Sequence, residues 1–295
     1  MTSAARRPQT RERPAVIEGP AELSDAHFAL IRDFARRRMG VTIADHKRSM
    51  VLRRIRRRMS ALDIATVSEY CALLRGSGAA AELQPLINAL TTNKTAFFRE
   101  RHHFEHLGDV ALPALSAALA FAKIARPLRI WSAGCSTGEE AWSIAMTASA
   151  AVLRQCASEA RILATDIDTD VLATARDGRY PIRDFDDVPR GLAQRYFERD
   201  AIETDHLRVG PALRAAVTFK ALNLHDAWRF SKPFDVIFCR NVVIYFDRAA
   251  QAALYDRFAN ALRPNGFLYC GHSELLHGVS RRFESVGQSV YRRIA

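Results

Sequence analysis

Cysteine is scarce and unpatterned in this chain: Cys71, Cys135, Cys156, Cys239 and Cys270 are odd in number, scattered and free of any C-x-x-C spacing. Neither a disulfide framework nor a zinc site is implied by that, so no metal is expected and the residues suit a reducing, cytoplasmic setting. Long apolar runs are missing too. None reaches the roughly 18–20 residues of a membrane span, and the best stretch, Val110 to Ala122, contains Pro113. Residues 1–20, rich in Arg, Pro and Glu, lack the apolar core of a signal peptide and are expected to form a disordered tail. Acidic residues are the third shortage, 32 Asp and Glu against 43 Lys and Arg, a net charge of +11. Such a balance points to an acidic partner: nucleic acid, an anionic membrane surface or an acidic protein.

The chain changes character along its length. From about Leu23 to Leu90 it is helical in period and rich in arginine, with helices expected over 24–39, 45–60, 66–75 and 79–91. A segment over 92–125 opens with Thr92-Asn93-Lys94-Thr95-Ala96-Phe97-Phe98-Arg99-Glu100 and continues as a helix running toward Leu119, joining this module to a second domain. From Arg126 onward short apolar runs alternate with helices: strands over 128–131, 161–165, 217–220, 234–239 and 267–270, helices over 139–153, 169–176 and 248–262, and a last strand near 289–293. That alternation predicts an α/β domain over 126–295 with a parallel sheet covered on both faces. The stretch over 178–216 is too long for a connection and reads as an inserted subdomain or flap. The domains are thus a tail (1–20), an all-α module (21–91), a link (92–125) and an α/β domain.

Ligands of open α/β sheets bind at the carboxyl ends of strands. The first strand ends in Ser132-Ala133-Gly134-Cys135-Ser136-Thr137-Gly138-Glu139-Glu140. No Lys follows Gly138, and the glycines are not spaced G-x-G-x-x-G, so neither phosphate-binding pattern is met. The helix N-terminus that would attract a phosphate already holds two acids. A ligand with ribose hydroxyls and a cationic amino group fits better, and S-adenosylmethionine is such a molecule. Asp166, directly after the second strand, suits a ribose diol by charge-assisted bonds, whereas Asp168 before Thr169 suits a helix N-cap. Asn223, beside Leu224, offers the donor–acceptor pair of an adenine reader or is a simple turn residue. Cys239, Arg240 and Asn241 end the fourth strand, with Tyr245 close behind.

Taken together, L-T-T-N-K-T-A-F-F-R-E (90–100), W-S-A-G-C-S-T-G-E-E (131–140), A-T-D-I-D (164–168), N-L (223–224), F-D-V-I-F-C-R-N-V-V-I-Y-F-D (234–247) and G-H-S-E (271–274) closely resemble the chemotaxis receptor methyltransferases, the CheR family. The resemblance covers nearly the whole chain from Leu23. It implies a Rossmann-like S-adenosylmethionine-dependent methyltransferase domain with a small inserted β-subdomain, preceded by an all-α domain. It implies methyl transfer to glutamate side chains of methyl-accepting chemotaxis proteins, giving glutamyl methyl esters and S-adenosylhomocysteine, by a monomer that neither inserts in membranes nor acts on nucleic acid. Carried over position by position, it implies cofactor contacts at Asn93, Thr95, Arg99, Gly134, Glu140, Asp166, Asn223, Leu224, Cys239, Arg240 and Asn241. Arg99 and Tyr245 would serve the reacting end. Tyr196 to Val209 has no glycine in its central loop, a departure from members that hold a receptor C-terminal peptide there.

The helix over 45–60 carries Val51, Leu52, Ile55 and Met59 on one stripe and arginines opposite. No acid stands at i,i+4 to pair them, so Arg53, Arg54, Arg57 and Arg58 are expected to expose a field of one sign, matching the family's use of a basic helical face for receptor recognition. Two other function classes compete: a nucleic-acid methyltransferase, and an inactive scaffold that binds the cofactor. Against the first, the fourth strand has neither an N/D-P-P-Y/F signature nor a Pro-Cys pair, since Phe238 precedes Cys239.

Overall fold

The computed structural model describes residues 23–154, 158–276 and 278–294, and the expected tail lies outside them. The described residues divide into two compact units, 23–31 with Ala44–Leu90, and Arg32–Ile43 with those of 91–294. Sequence pattern assigned 32–43 to the helical module; in the structure it groups with the larger unit, where Thr42 N donates to the Tyr245 carbonyl at 2.9 Å.

Four helices account for the helical module: α1 (Asp25–Met39), α2 (Arg48–Ala61), α3 (Val67–Arg75) and α4 (Ala79–Leu90). A 3-10 turn, Asp45–Lys47, takes the place of the expected first turn of α2. In the smaller unit, α2 buries Val51, Leu52, Ile55 and Met59, the stripe its period predicts. The start of α3 is fixed by a capping box: Thr66 accepts from Glu69 N at 3.2 Å while Glu69 accepts from Thr66 N at 3.1 Å. Inward-facing residues of α3 and α4, among them Tyr70, Leu86 and Ile87, complete this core.

The arginine face of α2 is not uniform, which corrects the expectation of four outward charges. Arg58 makes a two-pronged ion pair with Glu82 of α4, Nε to Oε1 and Nη2 to Oε2 both 2.8 Å, and Tyr70 Oη donates to the same carboxylate at 2.7 Å. Burial, reinforced by that bond, pushes the Tyr70 phenol well above its usual range. Arg54 donates to the Leu90 carbonyl. Only Arg53 and Arg57 of the four are exposed. The acid that pairs with Arg58 comes from 24 residues away, beyond the reach of an i,i+4 search.

After Leu90 the larger unit resumes with α5 (His102–His106), a π-helical turn (Leu107–Ala111) and α6 (Leu112–Phe121). It continues through β1 (Leu128–Ala133), α7 (Glu139–Leu153), β2 (Ala160–Asp166) and α8 (Thr169–Asp177). The inserted region holds β3 (Arg179–Pro181), α9 (Leu192–Tyr196), β4 (Phe197–Arg199), β5 (His206–Val209) and α10 (Pro211–Ala216). After it come β6 (Val217–Ala221), β7 (Phe234–Cys239), α11 (Arg248–Ala261), β8 (Leu262–Cys270), β9 (Phe283–Gly287) and β10 (Val290–Arg293).

Seven strands form one sheet in the order β6-β2-β1-β7-β8-β10-β9, and β3-β5-β4 form a separate small sheet. Strands β6 to β8 run parallel, while β10 is antiparallel to both β8 and β9. Because β1 is followed by β2 on one side and β7 lies on the other, the order reverses at β1, the switch point where such sheets bind ligands. β1 and β7 are buried on both faces, Trp131 and Phe238 included. Trp131 Nε1 finds its partner in Thr165 Oγ1 at 2.9 Å.

Candidate functional site

The segment before α5 is held by its two phenylalanines. Phe97 is fully buried, stacked on Phe185 at 4.8 Å and edge-on to Tyr180 at 5.1 Å, and Phe98 N donates to Ser143 Oγ of α7 at 3.0 Å. This anchoring carries Asn93, Thr95 and Arg99 across the carboxyl ends of the strands. Phe98, Glu100, Ser136 and Asn241 all adopt positive φ, 51°, 57°, 51° and 59°. Left-handed conformations at non-glycine residues cost energy that the surroundings must offset, and they gather here at the switch point.

A continuous polar network joins these strand ends. Ser136 N donates to Asp166 Oδ2 at 2.8 Å and Asp168 N to Asp166 Oδ1 at 3.0 Å. The Asp166 carboxylate thus gathers backbone N–H groups from the β1 turn and from its own strand end. Asp168 caps α8, with Oδ1 accepting from Asp170 N and Val171 N, as its N-cap reading requires. Its Oδ2 also accepts from Asn93 Nδ2 and Thr91 Oγ1, both 2.6 Å, and the Asn93 carbonyl accepts from Ser136 Oγ at 3.0 Å. The Asn93 amide therefore ties its segment to α8. Thr95 is half-buried beside it.

On the other side of β1, Glu140 accepts from Ser132 Oγ at 2.7 Å and pairs with Arg240 Nη1 at 3.2 Å. Burial raises the Glu140 carboxyl above its ordinary range, and Arg240 pulls against that rise. Burial likewise raises Asp166, opposed by its backbone donors, and Glu139. Arg240 Nη2 donates to the Arg99 carbonyl and lies 3.3 Å from Glu100 Oε2. Arg240 Nε is buried without a hydrogen-bond partner. Arg99, half-buried, returns a bond to the Lys94 carbonyl at 2.9 Å.

Glu100, His102 and His103 bring three donor atoms within 4.8 Å of one another. The Arg240 guanidinium already supplies positive charge to that carboxylate, so we read the group as an ion-pair cluster. Burial favours the charge-free carboxyl of Glu100, yet Arg240, His272 and His103 outweigh it and hold the group below the ordinary range. Burial and the Arg240 charge push His103 down to about 3.

Other expected site residues prove to have structural duties. Asn223 uses its amide inside the fold, Nδ2 donating to the Arg38 carbonyl at 2.7 Å and Oδ1 accepting from His225 N at 3.0 Å. Each end of the Asn223 amide is engaged once, leaving one N–H and one lone pair over. Leu224 packs in the core with Trp131 and Phe234, and Cys239 is fully buried there, so neither side chain lines an open cleft. Gly134 has φ +86°, and a Cβ built on it would stand 2.3 Å from Val242 Cγ2. The crowding partner is this chain's own loop rather than a ligand. Tyr245 ends a 3-10 turn over Val243–Tyr245 and is 37% exposed.

Sequence reasoning gave no role to Glu274, from the G-H-S-E stretch. Its buried carboxylate accepts from the backbone N–H groups of Gly271, Asn241, Val242, Val243 and Ile244. An acid four residues past the end of β8 was the available signal; its partners 30 residues and more upstream were not.

Comparison with known proteins then assigns the lineage. The CheR methyltransferase SAM-binding domain profile matches residues 93–292, and the CheR methyltransferase all-alpha domain profile matches 26–91. The chain belongs to the CheR methyltransferase family. Among curated relatives, the chemotaxis protein methyltransferase of Escherichia coli (strain K12) is 42% identical over 91% of each chain. Chemotaxis protein methyltransferase 2 of Pseudomonas aeruginosa is 43% identical over 90% of this chain and 91% of its own. That of Borreliella burgdorferi is 35% identical over 86% of this chain and 89% of its own. This CheR-family chain therefore has an all-α domain followed by a SAM-binding methyltransferase domain, and the polar network lies in the latter. No helix among the described residues is long and apolar enough to cross a membrane.

Proposed function

We propose that the protein transfers the methyl group of S-adenosylmethionine to glutamate side chains on cytoplasmic helices of chemotaxis receptors, acting as a monomer. What supports this most is the combination, in one chain of the CheR family, of acid-lined strand ends at the switch point with Arg99 and Tyr245 beside them. The residues suit the cofactor: Glu140 and Asp166 are buried acids with lone pairs for ribose and ammonium donors, and the unpartnered Arg240 Nε suits a carboxylate. Asn223 and Leu224 stand on the adenine side, with Asn93, Thr95, Gly134 and Asn241 shaping the walls.

When bound, S-adenosylmethionine supplies a methyl group on a sulfonium, which leaves as neutral thioether when a glutamate oxygen takes the methyl. Glutamate, with a reference pKa of about 4.3, is already an anion at neutral pH, so the protein needs no general base. Its residues orient and desolvate instead. Arg99 holds the incoming carboxylate in line, and the Tyr245 hydroxyl donates to it. On α2, exposed Arg53 and Arg57 attract an acidic receptor helix; Arg54 and Arg58 serve the fold. Incubation with methyl-labelled cofactor and a receptor cytoplasmic fragment tests the reading, base-labile methanol release marking an ester. Label entering nucleic acid, or no ester, overturns it.

A further inference from the structure

Four consecutive amides, from Asn241 to Ile244, turn toward one side chain. Glu274 Oε2 accepts from Asn241 N at 2.8 Å and Gly271 N at 2.7 Å; Oε1 accepts from Val242 N at 2.8 Å, Val243 N at 2.7 Å and Ile244 N at 3.3 Å. The carboxylate is 4% exposed. Buried N–H groups without acceptors are costly, and this loop leaves the sheet beyond the last ladder bonds that β7 makes. One anion satisfies them all, by charge-assisted bonds that exceed neutral ones in strength.

The consequence reaches both sides of the site. Val242, held by its amide, presses against the Gly134 turn so closely that no Cβ fits between them. Tyr245 follows directly on the tethered amides, its carbonyl fixed by Thr42 N at 2.9 Å. A Cβ on Gly271 would meet Asn241 Nδ2 at 2.7 Å and Glu274 Oε2 at 2.9 Å, so the glycine of G-H-S-E leaves room for the same arrangement. Asn241 adopts φ 59°, a left-handed conformation that asparagine takes more readily than most non-glycine residues.

We propose that Glu274 is a positioning residue for methyl transfer: by gathering the amides of 241–244 it sets Tyr245 against the reacting carboxylate. The inference rests on the function proposed above. Glu274→Gln is nearly isosteric but turns an NH2 group toward two of the N–H donors. Its kcat should fall at least tenfold, while KM for S-adenosylmethionine and Kd for S-adenosylhomocysteine stay within threefold. In a Tyr245→Phe background, where the hydroxyl to be positioned is gone, the same change should lower kcat less than threefold. A purely structural role would instead give the same fold loss in both backgrounds.

Should Glu274→Gln fail to fold, Glu274→Asp, one methylene shorter, is read in the same cycle. Amide exchange of residues 241–244 provides a readout without receptor: it should accelerate at least tenfold in the variant, with the β1 amides unchanged. Unchanged kcat, a full loss of kcat in the Tyr245→Phe background, or unchanged exchange over 241–244 overturns the positioning role. A wild-type protein that makes no ester overturns the functional reading instead, while the exchange measurement still decides whether Glu274 holds the loop.

Discussion

Helix α2 carries two kinds of arginine, and separating them is a quantitative test. Arg58 is the structural kind: its side chain is 22% exposed, and the Glu82 carboxyl it clamps is 4% exposed. Arg58→Ala leaves that carboxylate buried with Tyr70 Oη as its remaining side-chain donor, and removing one member of a buried pair costs on the order of 3–5 kcal/mol. Arg53→Glu and Arg57→Glu alter exposed positions, where substitutions stay within about 0.5 kcal/mol. Urea unfolding followed by circular dichroism, with hydrogen exchange of the α2 and α4 amides, reads the difference. Arg58→Ala should accelerate exchange throughout both helices; the double Arg53→Glu, Arg57→Glu variant should leave it unchanged yet lose most receptor methylation. Glu82→Gln, which retains an acceptor for Tyr70, should fall between. An Arg58→Ala protein within about 0.5 kcal/mol of wild type, or an unfolded Arg53→Glu, Arg57→Glu protein, would refute the division.

Asp166→Ala removes the acceptor of Ser136 N as well as the proposed ribose partner, and losing charge-assisted bonds worth about 1.5–3 kcal/mol should weaken S-adenosylhomocysteine binding at least tenfold by calorimetry; unchanged affinity would move the ribose elsewhere. Tyr245→Phe should keep product affinity within threefold while kcat drops tenfold or more, and equal losses in both would remove its assigned role. Because His103 is pushed down to about 3 in the fold, the unfolded chain binds the extra proton between its ordinary value near 6.5 and that point. Stability conferred by the neutral ring is thus complete above pH ~6.5 and is lost as pH falls, at up to about 1.4 kcal/mol per pH unit. His103→Gln, which keeps a donor for the Gln288 carbonyl that His103 Nε2 contacts at 3.1 Å, should flatten that acid limb; parallel limbs in both proteins would contradict the account.

Periodic features were legible in the sequence. The stripe Val51, Leu52, Ile55, Met59 predicted the buried face of α2, and the apolar runs at 128–131 and 234–239 predicted the two central strands, because burial on one stripe or both faces writes itself into residue order. Strand β9 was not anticipated: Phe-Glu-Ser-Val-Gly (283–287) has little β character of its own and is organised by antiparallel pairing with β10. The early start of β8 was hidden by Pro264-Asn265-Gly266, which reads locally as a turn. The motif series marked out the strand ends, yet partners distant in sequence decided what each residue does there. Asn223 carries the chemistry to read a base and also bonds the Arg38 carbonyl; Arg58 looks solvated until Glu82 arrives from α4. Neither pairing leaves a local signature, since contacts at such separations are created by folding.

The most direct test of the whole account is a single salt series on wild type and the Arg53→Glu, Arg57→Glu variant, measuring S-adenosylhomocysteine affinity and base-labile methyl ester on a receptor cytoplasmic fragment in the same samples. Steering between exposed charges is screened within about 8–10 Å at ordinary salt, so wild-type ester yield should fall with ionic strength while cofactor affinity holds, and the variant should bind cofactor normally yet form little ester at any salt. Undiminished ester formation by the variant, or methyl label that survives base, would contradict it.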